Sequence, residues 1–351
     1  MAYIVNAVCA YPENMVKQDE VRRILKRLWP DQGHAIHRFS ESTAVGSRHF
    51  SLPLKEYGNL GHVGERNTLW KKVALYLQKK NLQHLQEKTN LDFSEIGLVS
   101  SATTTGLAVP SLEALIMNHF PFPATTKRMP LFGLGCLAGV AGMNRVNDYL
   151  QGHKDKSAIL MVTELCSLTF QFKDSSIQNI IGSALFGDGS AAVLMVGDDH
   201  PLAEKASFEI VQNESIFYTH TERIMGWDMV EHGFQIVLSN DIPDLVHSHV
   251  GKNIDEFLEK NKMSRSDLKF FIAHPGGPKV LEALTKTLGR SREDFRLSWE
   301  SLKERGNTSA ASVVNVLEHS INRTDIKKGS YGLMMAMGPA FSLELSLVKK
   351  C

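Results

Sequence analysis

The chain breaks again and again into short apolar runs of strand length, each closed by a turn and separated from the next by a helical stretch. Such runs occupy Tyr3 to Val8, Ile96 to Ser100, Ala158 to Val162, Ala191 to Val196, Lys269 to Ala273 and Tyr331 to Ala336. Buried strands alternating with helices predict an α/β layered domain. The stretch Leu69 to Leu85 places Leu69, Val73, Tyr76, Leu77 and Leu85 among lysines and predicts a half-buried amphipathic helix with a solvated lysine face. Gly197 to Pro201 interrupts the apolar pattern and a polar segment follows it. We place a boundary there, dividing the chain into halves 1–203 and 204–351, each with strands and helices interleaved.

At 351 residues with 43% hydrophobic content, the chain suffices for one large domain or two fused ones. Lys+Arg 39 against Asp+Glu 38 leaves a formal charge of +1, so no global field draws it to nucleic acid or to acidic membranes. Cys9, Cys136, Cys166 and Cys351 form no CxxC pair and no closely spaced framework. Neither a zinc site nor a disulfide scaffold is indicated, and a reducing cytoplasm fits. No run approaches the roughly 20 apolar residues of a membrane helix, and the N-terminus lacks the basic region of a signal peptide.

Three segments carry candidate chemistry. In Met129 to Leu150 an apolar run passes through Gly-Leu-Gly into a small-residue helix and leaves Cys136 at the junction. A thiolate there faces unpaired backbone N–H groups and the positive end of the macrodipole, which favour the nucleophilic form. In Lys269 to Gly289, His274 stands at the end of a buried strand, beside a turn in which Pro278 suits the first turn of a helix. In Glu304 to Ile321, Asn307 is a candidate N-cap and also a neutral donor suited to an oxyanion or acyl carbonyl. Cys9 reads as core and Cys166 as lining or backing a cavity, while Asp188 reads as a turn residue bonding its own backbone.

Together the segments resemble the type III polyketide synthases, the chalcone and stilbene synthase family with its bacterial members. The resemblance rests on GLGCLAG around Cys136, ALFGDGSAAV from Ala184, AHPGGPKVLE from Ala273 and GNTSAASV from Gly306, in one order over nearly the whole chain. It implies a thiolase-type αβαβα fold made of two similar halves, a homodimer, and no metal or redox cofactor. It also implies that Cys136 takes an acyl group from an acyl-CoA starter, with His274 as ion-pair partner. Malonyl-CoA then loses CO2 to give an enolate bonded by His274 and Asn307.

The family's two gatekeeper phenylalanines fall on Phe186 and on Ile236, where an aliphatic side chain replaces the ring. Thr104, Thr169, Trp227 and Ser309 fall on cavity positions, and Val109 on the residue that crosses the dimer interface. Arg48 and Lys55 are candidates for the CoA phosphates. The segments Arg223 to Pro243 and Glu164 to Gln171 look most like bacterial alkylpyrone and alkylresorcinol synthases, which implies medium- or long-chain fatty acyl starters. A ketoacyl-carrier-protein synthase-like enzyme and a phloroglucinol-type or aromatic-starter polyketide synthase are the alternatives. The cysteine neighbourhood and secretory context expected of a papain-like hydrolase are absent from this chain. A non-catalytic scaffold would be expected to lose one of the three residues. Family members usually show Gly-Phe-Gly-Pro-Gly where this chain has Ala336, Met337, Gly338, Pro339 and Ala340, so the alanines are expected in backbone angles that a Cβ permits.

Overall fold

A nine-stranded sheet runs through the protein, and its pairing pattern occurs twice. The structure, a computed structural model, describes residues 1–231, 233–239 and 241–351. Its strands are β1 (Ala2–Ala10), β2 (Asn14–Lys17), β3 (Ser47–Phe50), β4 (Ile96–Thr103), β5 (Lys127–Phe132), β6 (Ser157–Leu165), β7 (Asp188–Gly197), β8 (Phe208–Phe217), β9 (Met225–Val230), β10 (Gly233–Leu238), β11 (Leu268–Ala273), β12 (Tyr331–Gly338) and β13 (Ser342–Lys350). The sheet order is β11-β12-β13-β8-β1-β7-β6-β4-β5, while β9 with β10 and β2 with β3 form separate two-stranded sheets.

In the first half β4 runs parallel to β6, β6 antiparallel to β7, and β7 antiparallel to β1. In the second, β11 runs parallel to β12, β12 antiparallel to β13, and β13 antiparallel to β8. The same sequence of senses in both halves is the duplication implied by the resemblance, and the halves meet where β1 pairs with β8. The boundary placed at residue 203 lies in the turn Pro201–Lys205 between them.

Each of the six apolar runs lies in this sheet. β6 and β7 are buried at every position, as continuous apolar runs demand. Two helices, Ala138–Gln151 and Ala310–Ile321, share one core with strand residues from both halves, including Leu160, Val193, Ile272 and Met334. They approach so closely that a Cβ on Gly139 would lie 2.5 Å from the Ala310 carbonyl oxygen. Outer helices cover the other faces. Leu82 and Leu85 pack against Val99, Ile159 and Leu194, and Leu281 and Leu284 against Leu333 and Leu345. The layers are therefore helix, sheet, central helices, sheet, helix.

The amphipathic stretch belongs to one helix, Val63–Thr89, but its buried face differs from the expected one. Tyr76 is exposed, while Gln78 and Asn81 are fully buried. The Gln78 amide donates to the Val162 and Ala191 carbonyls and to Thr163 Oγ1, which satisfies it inside the core.

Candidate active site

Cys136 occupies the single turn Gly135–Leu137 between β5 and the helix Ala138–Gln151, the expected junction. The turn seats on a second one. Gly135 has φ +50, and a Cβ on it would lie 2.6 Å from Pro339 Cδ. Ala340, the next residue of that second turn, has φ +53. The expectation that both alanines keep ordinary angles therefore fails at Ala340. Its left-handed geometry is held because its N–H donates to the Met225 carbonyl and its own carbonyl accepts from Thr221 Oγ1.

His274 follows the last residue of β11, with its backbone N–H donating to the Met335 carbonyl at 2.9 Å. Pro278 opens the next helix as expected. The imidazole is buried and, among the described residues, neither ring nitrogen has a hydrogen-bond partner. Asn307 is not the N-cap of its helix. Ser309 holds that position with φ +50. The Asn307 side chain donates to the Gly276 carbonyl at 3.1 Å and accepts from the Ser309 N–H at 2.8 Å, which leaves one amide hydrogen for a ligand.

Cys136, His274, Asn307 and Ser309 line one cavity of about 240 Å³. Burial pushes the Cys136 thiol up to about 12, against the hydrogen bond from Ser309 and with the help of the nearby Glu164. Burial also lowers His274 to about 3. The helix terminus alone therefore does not arm the thiol. Desolvation favours both neutral forms, and only transfer of the thiol proton to the imidazole, creating two opposite charges together, offsets it.

A second, largely apolar cavity of about 550 Å³ lies behind Phe186, Trp227 and Ile236, which line both spaces. Trp227 and Ile236 face each other across the β9–β10 pair, and the Trp227 ring lies 6.2 Å from that of Phe186. Thr169 and Cys166 line the second cavity. Val109 stands apart from both, fully exposed between β4 and the helix Leu112–Ile116.

Comparison with known proteins joins this geometry to a family. Residues 209–351 match the chalcone and stilbene synthase C-terminal domain, and residues 71–221 match the FAE1/type III polyketide synthase-like protein family. The chain is 36% identical to 1,3,6,8-tetrahydroxynaphthalene synthase of Streptomyces peucetius subsp. caesius, over 97% of this chain and 91% of that one. The chain belongs to the type III polyketide synthases. A putative chalcone synthase of Bacillus subtilis (strain 168) is 33% identical to this synthase over 99% of it and 98% of the relative. The crystal structure of 1,3,6,8-tetrahydroxynaphthalene synthase from Streptomyces coelicolor A3(2) superposes with a TM-score of 0.94 at 27% identity, covering 99% of each chain. As a type III polyketide synthase it is a malonyl-CoA-dependent acyltransferase with the thiolase fold.

One of the two basic residues singled out in the synthase sequence is placed differently from expectation. Arg48 is fully buried and donates to the carbonyls of Ser183 and Phe186 and to Gln18 Oε1, so it cannot reach a CoA phosphate. Lys55 is exposed on the rim of the second cavity. The basic side chains that line the synthase's reactive cavity are Arg38 and Lys279. Spacing gave no sign of this, because Arg38 lies among other basic and polar residues of the helix Gly33–Ser42.

Glu164 also escaped the sequence reading. Fully buried near the end of β6, it accepts from the Thr104 N–H at 3.1 Å, from Thr105 Oγ1 at 2.9 Å and from Ser309 Oγ at 3.3 Å. Burial raises its carboxyl to about 7, against those hydrogen bonds. Ser309 Oγ lies 3.5 Å from Cys136 Sγ, and Thr104 Oγ1 accepts from the Gly135 N–H, so Glu164 organises the wall behind the thiol. Asp188 bonds across the structure rather than to its own turn, accepting from the backbone N–H and hydroxyl of both Ser51 and Ser167.

Proposed function

We propose that this synthase loads a medium- or long-chain fatty acyl group from acyl-CoA onto Cys136 and extends it with malonyl-CoA to an alkylpyrone or alkylresorcinol. The observation that carries the starter class is the second apolar cavity, which shares Phe186, Trp227 and Ile236 with the reactive cavity. Shielding each methylene from water is worth about 0.8 kcal/mol, so such a space selects hydrocarbon.

In loading, the Cys136 proton passes to His274 and the thiolate attacks the thioester carbonyl; CoA leaves as its thiol with that proton. Malonyl-CoA then loses CO2, and the enolate oxygen receives hydrogen bonds from His274 and the remaining Asn307 amide hydrogen. The carbanion attacks the acyl carbonyl and releases the Cys136 thiolate. No step calls for a metal or redox cofactor. Arg38 and Lys279 at the cavity receive the CoA phosphates.

The functional assembly we propose is a cytoplasmic homodimer. β5 is an edge strand, mostly exposed and ending in exposed Phe132, and Leu107 and Val109 are exposed in the loop after its neighbour β4. An unpaired edge with apolar side chains is suited to a second copy. Among the described residues no helix is long and apolar enough to cross a membrane.

Incubation with acyl-CoAs of graded length and labelled malonyl-CoA, with products identified by mass, tests the reading. Products carrying the intact fatty chain support it, and exclusive use of coumaroyl-CoA sinks it. The relative named as a tetrahydroxynaphthalene synthase favours a second reading, in which the product is a polyhydroxylated aromatic without an alkyl tail. Malonyl-CoA without a second starter is the arm that detects this. Cys136→Ala abolishes product in either case.

A further inference from the structure

His274 sits one residue beyond β11, and β11 is an edge strand of the nine-stranded sheet. It pairs in parallel with β12 on one side, while its outward backbone groups face no neighbouring strand among the described residues. An edge of that kind has to find its partners elsewhere. The helix Arg296–Arg305 covers the open side, and Phe295 at its head packs on Phe271 of β11 with ring centroids 4.9 Å apart. Ser298, in the first turn of this helix, is 1% exposed, and its hydroxyl donates to the Ala273 carbonyl at 2.7 Å.

That carbonyl belongs to the peptide unit that joins Ala273 to His274. The N–H of the same unit donates to the Met335 carbonyl at 2.9 Å. One rigid plane is therefore held at both ends, by the sheet on one side and by Ser298 on the other. Past the histidine, the Gly276 N–H donates to the His274 carbonyl at 2.9 Å and the Asn307 amide to the Gly276 carbonyl at 3.1 Å. The ring has no such hold, because neither of its nitrogens is bonded among the described residues. Its aim depends on packing and on the backbone that carries it.

We propose that Ser298 is a positioning residue for His274. Its hydroxyl keeps the peptide before the histidine from turning, so that the imidazole stays aimed into the cavity it shares with Cys136. Without that hydroxyl the Ala273 carbonyl is buried and unpaired, and the plane is free to turn toward another donor. A misplacement of about 1 Å costs on the order of 100-fold in a site of this kind. The proposal rests on the role given to His274 above and adds the group through which the fold sets it.

The test follows release of labelled CO2 from malonyl-CoA, together with the pH profile of Cys136 alkylation by iodoacetamide. Ser298→Ala should lower kcat for decarboxylation by about 10–100-fold with KM for malonyl-CoA within about twofold of wild type. It should also slow alkylation at neutral pH and move the midpoint of its pH profile upward, since the thiolate loses a well-placed imidazolium. Ser298→Thr, which keeps the hydroxyl, should restore both. Ser157 is the control: it is fully buried, and its hydroxyl donates to the Glu95 carbonyl at 3.1 Å, at the end of β6 remote from Glu164. Ser157→Ala should lower Tm as Ser298→Ala does and leave both readouts unchanged. In a His274→Ala background, Ser298→Ala should add less than about twofold, because nothing is left to position. Should Ser298→Ala not fold, Ser298→Thr and Ser298→Val, alike in size, isolate the hydroxyl by the same readouts. Wild-type kcat and alkylation in Ser298→Ala, a rise in KM alone, an equal loss in Ser157→Ala, or a full further loss in the double variant overturns this assignment alone. Wild-type decarboxylation and alkylation in His274→Ala overturn the role of His274 and this assignment with it.

Discussion

At corresponding positions the two halves use one topology for opposite purposes. β4 leads into Thr104 and β11 into His274; the helix after Cys136 precedes β6 as the helix after Asn307 and Ser309 precedes β12. In the first half these positions are tied together. Thr104 bonds Glu164 through its N–H and Gly135 through its hydroxyl, so the thiol rests on a connected polar wall. In the second half the His274 ring has no hydrogen-bond partner among the described residues. A duplicated fold has thus divided its labour. One copy holds the shape, and the other keeps donors free for atoms that arrive only with substrate, where a preorganised group does most for the rate.

Breaking the free side should have the largest effect. His274→Ala should lower malonyl-CoA condensation by about 100–1,000-fold, as loss of an oxyanion donor does, and also slow Cys136 alkylation by iodoacetamide at pH 7 by about tenfold or more. Unchanged alkylation would mean that the first half arms its own thiol. Asn307→Ala should cost condensation a similar factor yet leave alkylation near wild type, which separates the two donors.

The tied side should reveal itself in stability. Because burial raises the folded-state pKa of Glu164 to about 7, its contribution is fully present below the unfolded pKa of about 4.3 and is lost as pH rises toward 7. Glu164→Gln does not titrate there. Thermal scans at pH 5 and 7.5 should show the variant gaining on wild type by something on the order of 3 kcal/mol. A pH-independent difference would contradict this assignment.

The seam between the halves comes next. Gly139→Ala sets a methyl against the Ala310 carbonyl of the other central helix and should cost about 1–3 kcal/mol in denaturant melts. The smallest change concerns the turn beneath Cys136. Ala340→Gly relieves a left-handed alanine, so Tm should stay level or rise slightly, by up to about 1 kcal/mol of stability.

How far the sequence could be read depended on whether a residue's neighbours lie along the chain. The six apolar runs identify themselves because strands covered on both faces need no alternation. β8 and β13 were hidden by polar residues. In β13, Glu344 and Ser346 are buried within an alternating run, bonded to Asn144 from the facing central helix. β5 was obscured by its exposed lysine, arginine and proline at the sheet edge. Cys136, His274 and Asn307, which line one cavity, each lie at an element boundary, but it is the resemblance that picks them out together. Glu164 sits inside an apolar strand, and its partners come from residues 59 to 145 positions away. Arg48 was misread for a similar reason. A cation beside a polar loop looks solvated until the fold supplies the carbonyls that bury it.

That buried cation also has a bearing on how such enzymes diversify. Arg48 grips the carbonyl oxygens of Ser183 and Phe186, groups that every amino acid presents, and not the aromatic ring that divides the two cavities. Mutation can therefore exchange the ring while leaving its anchorage alone. A lineage could try new product spectra at this position one substitution at a time, without first having to rescue the fold.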